Sequence, residues 1–271
     1  MIIEDVRPLP KLEIVFRTAA QNQRTTPLLF VHGMMHGAWC WEEHFLDYFA
    51  GHGFGSYAIN LRGHGKSEGR DKLRWVRIAD FVEDIENAVR HLPNPPILIG
   101  HSMGGFVIQK YLEDHTAPGA VLLSSPPPRG LIGTTLKVAR RRPLAFAKVN
   151  SMLSLLPLIA TPQLAREAFF SADVPEEQLR AYWALMQDES YMAFVDMVIS
   201  DLPRPPKAKT PLLVLGVARD NMLARADIDA TARAYDADSE IIPDVAHDSM
   251  LETRWQAVAD RILAWLDKRK L

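Results

Sequence analysis

Residues Leu98 to Phe106 read LIGHSMGGF. An apolar run entered from two prolines, PPILI, stops at Gly100-His101-Ser102-Met103-Gly104. Phe106, Val107 and Tyr111 then continue at helical spacing. A serine between two glycines at a strand-to-helix turn marks a backbone too tight for neighbouring side chains. In such a turn the hydroxyl projects from the end of the sheet. Ser102 is therefore the candidate nucleophile.

Outward from this turn, short apolar runs alternate with longer periodic stretches. Strands are expected at Leu12 to Phe16, Pro27 to Gly33, Ser56 to Gly65, Gly119 to Ser125, Pro211 to Asp220 and Glu240 to Pro243. Ile78, Phe81, Val82, Ile85, Val89 and Leu92 predict a helix. Nearly all-apolar strands separated by helices predict an α/β fold, a mostly parallel central sheet with helices on both faces. Ser249 and Glu252 have the spacing of a capping box that would start the last helix.

Two proline clusters, SSPPPRG from Ser124 and LPRPPKAKTP from Leu202, bracket a stretch without a convincing strand. Residues 126–207 are expected to form an inserted helical cap, with residues 1–125 and 208–271 making the core domain. An insertion between two strands lands near their carboxyl ends, where ligands bind in open α/β sheets.

The chain has 271 residues, a formal net charge of -2 and 48% hydrophobic residues. A core of that size holds a pocket without disulfides or metal. The charge offers no long-range attraction to nucleic acid or anionic lipid. A single cysteine, Cys40, excludes an internal disulfide framework and reads as a buried apolar residue. The opening MIIEDVRPLPK has no signal-peptide run, and no stretch approaches a membrane span. The expectation is a cytoplasmic protein with no integral membrane segment.

A serine hydroxyl needs a base. Of nine histidines, only His115 and His247 follow Ser102. His115 falls at the end of the helix after the turn and reads as a cap for it. His247, in PDVAHDSML after the last strand, is placed to reach Ser102. The base needs an orienting acid. Asp220, in the loop closing PLLVLGVARD, is the first choice. Asp248 is adjacent to His247, and neighbouring side chains diverge. Asp196 and Asp201 belong to the insertion and rank lower still.

The order Ser102, Asp220, His247, with His32-Gly33 after one strand and Arg62-Gly63-His64-Gly65-Lys66-Ser67 after the next, resembles the α/β-hydrolase fold superfamily. The likeness runs from about Leu12 to the C-terminus, toward its serine esterase and lysophospholipase branch. It implies an oxyanion hole from the backbone N–H groups of Met34 and Met103. A serine at the elbow sets the chain apart from dehalogenase and epoxide hydrolase relatives, which carry aspartate there. HGMMHGAWCW, from His32, is locally similar to plant methyl esterases and hydroxynitrile lyases.

The function implied is cleavage of a small-molecule carboxylic ester with an apolar acyl group, needing no metal or organic cofactor. A thioesterase, a C–C bond hydrolase or a cofactor-free perhydrolase would use the same triad. A ligand receptor with vestigial turnover is the alternative outside catalysis. Met34, Met35, Met103, Met222 and Met250 flank the motifs and suit either an adaptable pocket or core filling. Arg140-Arg141-Arg142 reads as a solvated helix face, with an anion site as its sharper alternative.

Overall fold

Side chains along an extended strand alternate between its two faces, and here both faces are apolar. The computed structural model describes residues 9–20, 23–205 and 210–271. Its seven strands are β1 (Ile14–Arg17), β2 (Leu28–Val31), β3 (Ser56–Ile59), β4 (Ile97–His101), β5 (Ala120–Leu123), β6 (Leu212–Val217) and β7 (Asp238–Ile242). They form one sheet in the order β1-β3-β2-β4-β5-β6-β7. β1 runs antiparallel to β3, and every other pairing is parallel. The first strand starts at Ile14 rather than Leu12, where its ladder to Ile59 begins.

Leu28, Phe30, Ile97, Ile99, Val121 and Leu213 face one apolar cluster. Leu29, Val31, Leu98, Leu122, Leu212 and Val214 face the other. Each such buried side chain is worth roughly 1.5–3 kcal/mol in transfer free energy. The first cluster is closed by α1 (Trp39–Glu42), α2 (Phe45–Gly51) and α11 (Trp255–Arg269). The second is closed by α3 (Ile78–His91), α4 (Met103–Tyr111) and α10 (Arg225–Tyr235). Cys40 is fully buried in the first, and burial pushes its thiol well above the usual range.

Between β5 and β6 the described chain is helical. It forms α5 (Ile132–Arg141), α6 (Pro143–Met152), α7 (Pro162–Phe169), α8 (Glu176–Leu185) and α9 (Tyr191–Val195), with one 3-10 and one π segment. Thr161 caps α7 by accepting from the Leu164 N–H, and Pro162 sits at the first helical position where its missing donor costs nothing. The expected boundary at 207/208 lies outside the described residues.

The expected capping box at Ser249 and Glu252 is overturned. The last helix begins at Trp255, and Arg254 occupies its N-cap. Glu252 instead accepts from the Ser171 N–H at 2.7 Å and the Ser171 hydroxyl at 2.6 Å. A partner 81 residues away satisfies the carboxylate better than the local helix start.

Candidate active site

Ser102 stands between β4 and α4 with φ 48 and ψ -118, a conformation that ordinary residues avoid. Main-chain bonds hold it there: its N–H donates to the Leu123 carbonyl at 2.9 Å, and its carbonyl accepts from the Phe106 N–H at 3.1 Å. The flanking glycines are required by close approach. A Cβ on Gly100 would lie 2.6 Å from the Gly104 carbonyl oxygen, and one on Gly104 would lie 2.3 Å from the Val31 oxygen.

Asp220 follows β6 and His247 follows β7, both at the carboxyl end of the sheet beside Ser102. Main-chain bonds extend the β6–β7 pairing into these loops, from Ala218 N–H to Ile242 O at 2.9 Å and from Arg219 N–H to Val245 O at 3.0 Å. The structure thus brings the three candidate side chains together. The Asp220 Oδ2 lies 2.9 Å from His247 Nδ1, and His247 Nε2 lies 3.1 Å from the Ser102 Oγ. A carboxylate acceptor at Nδ1 places the imidazole proton there and leaves the Nε2 lone pair for the serine hydroxyl. Asp220 is itself fixed, because its Oδ1 accepts from the Met222 and Leu223 N–H groups.

Burial works against charge on both members of this pair, and their mutual attraction prevails. His247 is raised above the usual imidazole value, and Asp220 is lowered below the usual carboxylate value. The His247 ring is packed between two others. Phe169 of α7 stacks on it at 5.9 Å between centroids, and His101 sits at 4.9 Å. His101 Nε2 donates to the His247 carbonyl at 2.9 Å. Burial drives His101 down to about 3, so it is a neutral spacer.

Ser102 and His247 open into a cavity of about 530 Å³, a size usual for small-molecule sites. Helices α5 to α7 supply much of its apolar wall, including Phe146, Val149, Ile159, Leu164 and Phe169. Of the five flanking methionines, Met34, Met35 and Met222 line the cavity, while Met103 and Met250 are fully buried in the core. Arg141 and Arg142 stand at the cavity, Arg142 paired with Glu167, and Arg140 does not line it. No acceptor elsewhere in the described chain takes the Met34 or the Met103 N–H.

The remaining candidates lie elsewhere. His115 donates to the Tyr111 carbonyl at the end of α4. Asp196 pairs with Arg77, and Asp201 with Lys110. Asp248 pairs with His36 at 2.9 Å. His101, His247 and Asp248 are the one cluster among the described residues spaced for a metal ion. Ligation by His247 would cost it either Asp220 or Ser102, so the cluster fits the hydrogen-bonded chain better than a metal.

Sequence reading missed four buried polar residues around this site: His36, His64, His101 and Glu189. His101 sat within the quoted motif. His36 and His64 also sat within quoted motifs, but their carboxylate partners lie far along the chain, and Glu189 carries no local signal.

The alpha/beta hydrolase family model matches residues 28–261. A monoacylglycerol lipase of Mycolicibacterium smegmatis is 27% identical over 83% of this chain and 82% of its own length. Among solved structures, a thermophilic esterase from Thermogutta terrifontis superposes with TM-score 0.73 at 18% identity, covering 96% of this chain and 94% of that one. An epoxide hydrolase of Bacillus megaterium superposes with TM-score 0.67 at 16% identity, over 95% and 97%. The last two likenesses concern the fold alone.

Proposed function

Because the chain belongs to the alpha/beta hydrolase family, we propose that it hydrolyses a carboxylic ester with an apolar acyl group. The observation that carries this reading is the hydrogen-bonded chain from Asp220 through His247 to Ser102, opening into a largely apolar cavity. The likeness to a monoacylglycerol lipase supports the ester class. Serine at position 102 is the elbow residue of esterase relatives rather than the aspartate expected of epoxide hydrolases.

In the proposed reaction Ser102 Oγ attacks the ester carbonyl as His247 Nε2 takes the hydroxyl proton. Asp220 holds the imidazole in the required tautomer and stabilises the imidazolium that forms. The unpaired N–H groups of Met34 and Met103 are the donors for the oxyanion, where charge develops on the carbonyl oxygen. His247 returns the proton to the departing alcohol. Water then repeats the sequence on the acyl-enzyme and regenerates Ser102. The helices between β5 and β6 act as the cap that walls the acyl group from solvent.

Steady-state hydrolysis of p-nitrophenyl esters from acetyl to palmitoyl tests this reading. Turnover with an optimum in acyl length is expected, falling by at least about 10⁴-fold in Ser102→Ala. Wild-type rates in a folded Ser102→Ala protein would overturn the mechanism, and a flat chain-length profile would overturn the apolar acyl pocket.

A further inference from the structure

The turn that carries Met34 is held by two of its own histidines and by Glu189, 154 residues away. Its Gly33 carbonyl accepts from His32 Nδ1 at 2.8 Å. The next peptide, joining Met34 to Met35, is gripped at both ends. Its carbonyl accepts from His36 Nδ1 at 2.6 Å, and its N–H donates to Glu189 Oε2 at 3.1 Å. Each gripping group is itself braced. His36 Nε2 lies 2.9 Å from Asp248, and Glu189 lies 3.1 Å from His64 Nε2.

Glu189 and Asp248 are almost wholly withdrawn from water, at 1% and 0% exposure. Buried carboxylates are expensive unless paired and hydrogen-bonded. Here two of them converge on one short turn. That turn needs restraint, because Met35 has φ 66, a left-handed conformation that persists only where its surroundings over-determine it. The Gln187 N–H also donates to the Met35 carbonyl at 3.0 Å, so the segment before α9 docks along the turn.

We propose that Glu189 and His36 are positioning residues for the oxyanion site, fixing the Met34–Met35 peptide from its two ends and so aiming the preceding Met34 N–H. The proposal rests on the hydrolase reading above and deepens it. It makes the oxyanion turn and the segment after α8 one mechanical unit, joined through the Glu189 carboxylate and the Gln187–Met35 main-chain bond. The two Glu189 oxygens serve different donors: Oε1 accepts from the Ser190 N–H, and Oε2 from Met35 and His64. A glutamine offers one acceptor oxygen and must forfeit one of these backbone bonds.

The test uses a trifluoromethyl ketone of the preferred acyl length, which adds to the serine as a tetrahedral adduct. The matching methyl ketone reports ground-state binding. Misplacing an oxyanion donor costs on the order of 10- to 100-fold. Glu189→Gln is expected to lower kcat and trifluoromethyl ketone affinity by the same factor, with KM and methyl ketone affinity within about twofold. His36 supplies a second, independent pair of variants. Glutamine reaches the Nε2 position and keeps Asp248 while losing the Met34 carbonyl. Asparagine stands in for Nδ1 and keeps that carbonyl. His36→Gln is expected to lose more trifluoromethyl ketone affinity than His36→Asn.

Unchanged trifluoromethyl ketone affinity in Glu189→Gln and His36→Gln, both folded, overturns the proposal. Equal losses for the two ketones do the same, since they report a general structural role. If Glu189→Gln fails to fold, the order of the two His36 variants decides alone. A wild type that neither hydrolyses esters nor prefers the trifluoromethyl ketone overturns the hydrolase reading, and this proposal with it.

Discussion

Two histidine–carboxylate pairs stand next to one another at the carboxyl end of the sheet. Asp220 holds His247, and Asp248 holds His36, each across 2.9 Å. All four groups are nearly or wholly buried, and in both pairs attraction to the carboxylate outweighs burial and raises the histidine. The difference lies at the second ring nitrogen. In His247 it meets the Ser102 hydroxyl at 3.1 Å, which can donate. In His36 it meets the Met34 carbonyl at 2.6 Å, which can only accept. An acceptor on each side calls for an N–H on each side. His36 is thereby satisfied as a doubly donating cation and has no lone pair to offer. His247 keeps one. On the proposed mechanism, the same two residue types make a base in one setting and a strut in the other.

This contrast is broken most severely at the base. His247→Ala is expected to reduce kcat by about 10⁴–10⁶-fold while the protein stays folded, measured on the best p-nitrophenyl ester. Asp220→Asn comes next, at about 10⁴-fold, because an amide facing Nδ1 can favour the wrong tautomer. The corresponding change in the other pair, Asp248→Asn, is expected to lower kcat by less than about 10-fold, since Asp248 is hydrogen-bonded to His36 rather than to His247 or Ser102. Its larger effect is on stability. Weakening a buried, charge-assisted hydrogen bond costs roughly 1.5–3 kcal/mol, to be read from urea unfolding. Equal kinetic losses in Asp220→Asn and Asp248→Asn would erase the distinction between base and strut.

The mostly parallel sheet and the meeting of Ser102, Asp220 and His247 were legible because their signals are local. Apolar runs such as PLLFVHG and PPILIGHS read as strands buried on both faces, and the parallel arrangement places their carboxyl ends together. Ser102 and Asp220 each follow such a run, and His247 follows the short edge strand EIIP, so their convergence could be anticipated without any contact information. The struts were not legible. A histidine or glutamate is scored as polar wherever it lies, and nothing near Glu189 announces Met35, 154 residues away. The last helix shows the opposite failure. Ser249 and Glu252 match a local rule, yet tertiary competition wins. Glu252 is taken by Ser171, the buried Ser249 hydroxyl finds no partner among the described residues, and the helix starts at Trp255. Local spacing describes an option open to the chain, and burial decides whether that option is used.

The smallest expected effect is the sharpest probe of how independent the two pairs are. Asp248 also faces His247 electrostatically, and its charge adds to that of Asp220 in raising the imidazole, against the opposing pull of burial. As the proposed base, His247 must be neutral, so kcat/KM should fall as pH drops through its raised value, which lies above the ordinary 6.5. Asp248→Asn removes one of the charges that favour the imidazolium. The acid limb of the kcat/KM profile should therefore move to lower pH, leaving the variant relatively more active in acid than its loss at neutral pH suggests. Asp220 still holds His247, so the displacement should be a fraction of that seen in any residual activity of Asp220→Asn. A limb that stays in place would mean that the second pair acts on the turn alone. A limb displaced as far as in Asp220→Asn would mean that the two carboxylates form one electrostatic unit around His247, and that the division between base and strut is only geometric.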